Sequence, residues 1–418
     1  MPRLLKSPPQ LTAALIVRNC AAELRATLDS VNELADEIVV LDTGSTDDTP
    51  RIAQEFGARI FHRPWDDDYS AARNACLAHA RGQWILWLDA GETLTAESAA
   101  ALRGRLEQSF DVARAWLLPV VLPQAPGQLG GEQMHQLRLH PRLPGLSFAG
   151  RVRESLETAL RSAALATEPL DIPIRRPAAD LDAASRAHRA RRNIRLADLA
   201  IAERGPSVEM HNCLGEAWWR LGDSLQAAQH YTRALSLAET GSRAALEALY
   251  GQLTCLDGAG ADRQAQLALA MNALQQSPLD AHLLVAAGGY LYDLQQPHLA
   301  IRAFDVAFRH GQIERRLWHL ADIQEIAARC AGRLLVAGGR ADEACTLLTA
   351  ATRLWPGSTA LAGELAAAER TSRQRIAEVP ADLGGDDADW SRPDPIQPAR
   401  PLSPAASGAI LGHIRRFV

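Results

Sequence analysis

The run from Glu37 to Pro50 constrains this chain more than any other. Ile38, Val39, Val40 and Leu41 form a continuous aliphatic, β-branched stretch, the pattern of a strand buried on both faces of a parallel sheet. The stretch stops at Asp42, and Thr43, Gly44, Ser45, Thr46, Asp47 and Asp48 follow as a turn in which glycine permits a positive φ. Thr49 and Pro50 supply an N-cap and a first-turn proline for a helix over Arg51 to Phe56. A carboxylate at the C-terminal end of a buried strand sits where open α/β sheets take their ligands. A second case follows: Trp84-Ile85-Leu86-Trp87-Leu88 runs into Asp89, Ala90, Gly91 and Glu92. Turn chemistry alone also favours Asp and Gly at strand ends, so neither segment decides a function by itself.

The elements around these two strands alternate. Leu11 to Val17 reads as a strand and Ala21 to Leu34 as a helix with Leu24, Leu28 and Val31 on one face. Ala58 to Phe61 is a short strand, and Tyr69 to His79 is a further helix. The alternation requires a parallel, Rossmann-like sheet with right-handed crossovers. An exposed helix, Ala96 to Gln108, follows. Ala115 to Leu122, Gln136 to Leu139 and Leu146 to Phe148 then read as strands between Pro/Gly-rich loops, of which Gln124 to Glu132 is expected to be the flexible one.

Proline punctuation from Pro169 to Pro177 marks a boundary. Beyond it Arg186, Arg189, Arg192 and Arg195 recur every three residues; such a stripe drifts around a helix and is expected to be a solvated face. From Val208 the chain is periodic. Leu214-Gly215, Trp218, Ala227, Tyr231 and Ala234 recur as Ala287-Gly288, Leu291, Ala300, Phe304 and Ala307, and again as Ala331-Gly332, Leu335, Ala344, Leu348 and Ala351. With a weaker unit around Ala270, Ala273 and Pro278, this predicts four tetratricopeptide helix pairs, an insertion near Gln312 to Ile323 and a capping helix from Leu361 to Ile376. The expected division is 1–177 for the α/β domain, 178–377 for a helical linker and separately folding solenoid, and 378–418 for a disordered tail.

Composition excludes some partners. Forty-four basic and forty-nine acidic residues leave a formal charge of -5, with no global footprint for nucleic acid. Six cysteines without a C-x-x-C pair read as reduced thiols. No segment has about eighteen consecutive apolar residues, and Met1 to Gln10 lacks a signal-peptide pattern, so a cytoplasmic protein without a transmembrane segment is expected.

Taken together, Asn19, Asp36-Glu37, Asp42 to Asp47, Trp65, Asp68 to Asn74 and Trp87 to Glu92 resemble the family 2 glycosyltransferases, in particular a bacterial subgroup that joins the catalytic domain to tetratricopeptide repeats. The resemblance runs unbroken from Leu11 to Leu94. It implies a GT-A fold and transfer of a sugar, with inversion, from a nucleotide-diphosphate sugar to an acceptor, here a protein or peptide held in the repeat groove. By position it assigns nucleotide-sugar binding to Asn19, Asp42, Gly44, Ser45, Asp47, Arg73 and Asp89. It assigns Mg²⁺ or Mn²⁺ to Asp89 and Glu92, and the general base to Glu154.

The chain departs from the family pattern at three places: Cys20 follows Asn19 where Glu is usual, Gly91 replaces the second Asp of Asp-x-Asp, and Arg153 replaces the His of His-Glu. Arg153 is a candidate for offsetting diphosphate charge. Arg73 reads either as a diphosphate contact or as a local ion pair to Asp67 or Asp68. Restoring the motif with Gly91→Asp is expected to strengthen Mn²⁺ binding provided Gly91 does not sit at positive φ. The competing reading is a degenerate nucleotide-sugar fold on a repeat scaffold, acting as a protein-interaction module. A nucleotidyltransferase is disfavoured because no glycine-rich loop follows the first strand.

Overall fold

The computed structural model describes residues 10–107, 113–123, 131–176, 182–260 and 262–377. Most of the expected loop at Gln124 to Glu132 and all of the expected tail lie outside the described residues.

The first domain runs β1 (Leu11–Val17), α1 (Ala21–Val31), β2 (Glu37–Asp42), α2 (Thr49–Glu55), β3 (Arg59–His62), α3 (Tyr69–His79), β4 (Trp84–Trp87), β5 (Thr93–Leu94) and α4 (Ala96–Glu107). It continues as β6 (Arg114–Val121), β7 (Glu132–Pro141), α5 (Glu157–Ser162), β8 (Ala166–Pro169) and β9 (Ile174–Arg175). The sheet order is β3-β2-β1-β4-β7-β6-β9-β5. Strands β3, β2, β1 and β4 are parallel, whereas β7 joins β4 and β6 in antiparallel fashion. The expected parallel alternation therefore holds for the first half of the sheet, and the whole is the mixed sheet of a GT-A-like domain. Its parallel strands are covered on both faces, which is why they read as unbroken apolar runs. Leu15, Val17, Val40, Leu86 and Leu88 pack with Leu24 and Leu28 of α1 and Leu102 of α4 on one side. Ala14, Val39, Leu41, Ile85 and Trp87 pack with Ala72 and Cys76 of α3 on the other. The expected strand at Leu146 to Phe148 is absent as a ladder; a single bridge, Ala149 to Ser155, closes a loop there instead.

The helical half comprises α6 (Ala183–Arg204), α7 (Val208–Arg220), α8 (Ser224–Leu237), α9 (Arg243–Gly258), α10 (Arg263–Gln276), α11 (Ala281–Asp293) and α12 (Pro297–His310). After β10 (His319–Leu320) come α13 (Ile323–Ala337), α14 (Ala341–Leu354) and α15 (Thr359–Ala377). The recurring small and large positions meet as the repeat pattern requires. Tyr231 fills the space left by Gly215 and Gly251, Phe304 that left by Gly288, and Leu348 that left by Gly332. The Gly251 position is the tightest of these, since a Cβ there lies 2.2 Å from Cζ of the fully buried Tyr231. Gly251→Ala is therefore expected to cost about 1–3 kcal/mol by overpacking, read as a lower urea midpoint with the m-value unchanged. A midpoint equal to that of the wild type would show that the two helices separate freely.

Two expectations change. The insertion after α12 carries a two-residue strand: β10 pairs antiparallel with β7, His319 opposite Gln133 and Leu320 opposite Glu132, so the repeats extend the sheet of the first domain. The arginine stripe on α6 is not simply solvated. Arg192 lies over the Tyr69 ring at 5.2 Å and Arg195 pairs with Asp67, both on the first domain. The basic spacing serves an interface that no local pattern announces. The solenoid, expected to fold by itself, is thus joined to the α/β domain through α6 and β10.

Candidate functional site

The site is built where the parallel strands end. Strand register sets Val17 of β1 beside Asp42 of β2, and Ala14 of β1 beside Trp87 of β4. Both acidic strand ends therefore open on one edge of the sheet.

Asp42 closes its own turn. Its carboxylate accepts from Ser45 Oγ at 2.5 Å and from the Ser45 N–H at 3.1 Å, and its other oxygen lies 3.2 Å from His62 Nδ1. Gly44 sits at φ 107°, a conformation the turn needs and side chains resist. Asn19, itself at φ 48°, ties the first strand-end loop to this turn: its side-chain oxygen accepts from the Thr46 N–H at 2.7 Å, while Ser45 Oγ accepts from the Asn19 N–H at 3.0 Å. Asp47 accepts from the Ala21 and Thr49 N–H groups, the first of α1 and of α2, while Cys20 and Asp48 occupy the N-cap positions. Cys20 stands where the family has an acid; its N–H donates to Thr49 Oγ1, and burial raises its thiol to about 11.

A second cluster surrounds Asp89. Arg73, on the first turns of α3, donates from Nε to Glu154 at 2.6 Å and reaches Asp89 at 3.4 Å. Neither Asp67 nor Asp68 is its partner in these pairs: Asp68 caps α3 by accepting from the Ala71 N–H, and Asp67 accepts from Trp65 Nε1. The Arg73 guanidinium lies over the rings of Trp87 and Phe148, at 5.0 and 5.5 Å. Arg138 from β7 pairs with Glu92 at 2.7 Å and with Asp89 at 3.4 Å, and Arg176, just past β9, approaches Glu92 at 3.3 Å and Asp89 at 3.7 Å. Withdrawal from water works against charge on Asp89, but Arg138, Arg73 and Arg176 outweigh it and hold the carboxyl well below the usual range. The residue still keeps 44% of its side-chain area open. Neighbouring Asn74 fastens the Glu154 loop, donating to Phe148 O at 2.9 Å and accepting from the Phe148 N–H at 2.8 Å.

Arg138 and Arg176 belong to the site with little or no signal in the sequence. The only trace of Arg138 in the sequence is a cation in the apolar strand Gln136 to Leu139, a position that is costly to bury without an acidic partner. Arg176 lies in the proline-punctuated boundary and carries no local signal.

The metal assignment is narrower than the sequence suggests. Glu92 is buried, one oxygen engaged by Arg138 and Arg176 and the other by the Asp89 N–H at 2.9 Å, so both oxygens are committed to internal partners; burial, with the nearby Asp89 charge, raises its carboxyl above the usual range against the pull of Arg138 and Arg176. Among the described residues no three His, Cys, Asp or Glu side chains gather to hold a metal. Of these two acids only Asp89 offers an oxygen with an open edge, a donor type suited to Mg²⁺ or Mn²⁺, and the described residues fit such an ion only as a partial site. Gly91 lies at φ 93° with its N–H donating to Thr27 Oγ1, so the condition for a strain-free Gly91→Asp is not met. Arg153 turns away from the acidic edge and pairs with Glu216 and Glu247 of the repeats, which removes it as a diphosphate contact.

Residues 12–117 match Glycosyl transferase family 2. A TPR repeat-containing protein of Synechococcus elongatus is 50% identical over 99 residues, 24% of this chain and 25% of that protein. The SPbeta prophage-derived glycosyltransferase SunS of Bacillus subtilis is 30% identical over 149 residues, 35% of this chain and 34% of that protein. The chain thus spans a quarter to a third of the length of these curated relatives. Among solved structures, glucosyl-3-phosphoglycerate synthase from Mycobacterium tuberculosis, in complex with Mn²⁺, UDP and glucosyl-3-phosphoglycerate, is 22% identical, with 44% of this chain and 78% of that chain covered and a TM-score of 0.31. No described helix is long and apolar enough to cross a membrane.

Proposed function

We propose that this chain, which carries a family 2 glycosyltransferase domain ahead of tetratricopeptide-like repeats, transfers a sugar from a nucleotide-diphosphate sugar to an acceptor with inversion at the transferred carbon. The observation that carries this reading is the convergence of Asp42, Asp89, Arg73 and Glu154 on the edge where the parallel strands end. Asn19, Asp42, Gly44 and Ser45 line the nucleoside site, and Asp47 supports it by accepting from the first N–H of both flanking helices. Glu154, oriented by Arg73, takes the proton of the acceptor hydroxyl as that oxygen attacks, and the nucleoside diphosphate leaves from the opposite side. When bound, a divalent ion held by Asp89 and by the diphosphate's own oxygens supplies positive charge to the leaving group. The acceptor is a protein or peptide engaged by the repeats, a reading supported by their direct contact with the Glu154 loop. The division into an α/β domain to residue 177 and a helical region from 178 to 377 belongs to the same proposal.

Calorimetric titration against a panel of nucleoside diphosphates, with and without Mn²⁺, tests it. One of the panel is expected to bind, and Asp42→Ala to weaken that binding by about 1.5–3 kcal/mol, ten- to a hundredfold, with the fold retained. A folded Asp42→Ala protein with the affinity of the wild type would remove Asp42 from the site. The absence of binding to every member of the panel would favour a non-catalytic scaffold.

A further inference from the structure

The segment from Ala149 to Ser155 carries Glu154 and is held from two sides. Its ends are tied to each other, the Ala149 N–H donating to Ser155 O and the Ser155 N–H to Ala149 O, both at 3.0 Å. On the side of the α/β domain, the Tyr69 N–H donates to Arg151 O at 3.0 Å, and Arg151 donates to Asp67 O, also at 3.0 Å. On the other side the tip enters the repeats. Val152 is buried with Leu196 of α6 and with Cys213 and Leu214 of α7. Arg153 donates one arm of its guanidinium to Glu247 of α9 at 2.6 Å and the other to Glu216 of α7 at 2.7 Å.

The cost of this arrangement is visible in the backbone. Arg153 lies at φ 52°, a left-handed conformation that a non-glycine residue keeps only when its surroundings impose it. The two repeat carboxylates grip this residue directly, and a forked guanidinium held by two separate helices is fixed in direction as well as in position. Glu216 is built for this role: burial opposes its charge, but Arg220 and Arg153 pull the carboxyl down to about 2, so it stays an anion throughout the ordinary range. Glu247 is steadied by Asn212, whose side chain donates to it at 3.2 Å. The residue next in the chain is Glu154, whose carboxylate meets Arg73 at 2.6 Å. Rotation of the Arg153 backbone toward an ordinary φ would swing Glu154 off that partner.

We propose that Glu216 and Glu247 are positioning residues of the transferase site, holding Glu154 in register through Arg153, so that the first two repeat pairs complete the active site of the α/β domain. This rests on the reading of Glu154 as the base. It also gives the substitution of arginine for the family's histidine a role, as the residue that reaches the repeats.

The test uses the full chain with the isosteric pair Glu216→Gln/Glu247→Gln, which removes both charges without opening a cavity, and Arg153→Ala as a second variant. Three readouts are compared with the wild type: amide hydrogen exchange of residues 149–155, affinity for the nucleoside diphosphate that binds best, and hydrolysis of UDP-glucose, UDP-N-acetylglucosamine and GDP-mannose, with water as acceptor. The expected result is exchange in the loop at least about tenfold faster, with the parallel strands as protected as before. Nucleotide affinity should stay within about twofold, and kcat for hydrolysis should fall about ten- to a hundredfold at nearly constant KM, the pattern of a misplaced catalytic group. Loop exchange equal to that of the wild type overturns the proposal, as does faster exchange with kcat unchanged. If the wild type turns over no donor in the panel, the transferase reading has failed, and the exchange comparison still decides whether the repeats hold the loop.

Discussion

Lowering the pH from 7 to 5 is expected to destabilise this protein, with about 4 kcal/mol of the loss coming from three fully packed histidines that are held neutral, net of one opposing carboxyl. His140 is completely buried: its Nε2 accepts from Trp87 Nε1 and its Nδ1–H donates to Pro141 O, both at 2.9 Å, an arrangement only the neutral ring can satisfy. Burial, seconded by the charge of Arg73, pushes it down to about 4. His282 of α11 and His319 of β10 lie at the junction of the repeats with the sheet, their ring centroids 6.4 Å apart, and burial together with neighbouring rings takes them to about 3 and about 4. His135 of β7 stacks on His319 and is shifted the same way, by burial first and then by Arg315. A folded value below the unfolded one means that the unfolded chain binds more protons, so stability is complete above the ordinary histidine value of 6.5 and is lost as pH falls through the window below it. Each of the three contributes about 1.4 kcal/mol per pH unit there. Asp280, buried and raised to about 6, opposes them and returns about 1–2 kcal/mol over the same window. Urea titrations at pH 7, 6 and 5 measure the slope, and His319→Gln should reduce it by one proton. A stability flat across this range would mean that these rings reach water.

Arg138→Ala should be the most damaging single substitution near the site, costing about 3–5 kcal/mol. The Arg138 side chain is 4% exposed and its principal partner, Glu92, is 1% exposed. Removing the cation leaves the Glu92 carboxyl group in the interior with the more exposed Arg176, at 3.3 Å, and the Asp89 N–H as its remaining partners. The penalty arises from the stranded charge rather than from the lost bond, because a buried pair by itself roughly balances its own desolvation. It follows that Arg138→Met combined with Glu92→Gln should recover most of the loss. Chemical denaturation of wild type, single and double variants gives the comparison. A single variant within about 1 kcal/mol of the wild type, or a double variant no better than the single one, would refute the account.

What could be read from the chain and what could not divide along a physical line. The strands ending in Asp42 and near Asp89, the helix beginning at Tyr69 and the pairing of Gly215 with Tyr231 or Gly288 with Phe304 are written in neighbouring residues or in a pattern that repeats, so periodicity and turn chemistry recover them. The expectation of a solenoid independent of the α/β domain had the same local basis, and it missed β10, because a two-residue strand exists only by virtue of the strand it pairs with. The ion pairs are of another kind. Glu92 finds Arg138 46 residues away, Arg73 finds Glu154 81 residues away, and Arg153 finds Glu247 94 residues away. With forty-four basic and forty-nine acidic side chains available, nothing in their order selects these partners. The chain by itself determined a parallel run of strands with acids at their ends and a run of helix pairs after it. Only the tertiary structure decided that Glu92 is an internal partner of Arg138, that Arg153 faces the repeats, and that the two halves meet at the loop carrying Glu154. Charge has no periodicity, and its partner is chosen by the low-dielectric space the fold encloses.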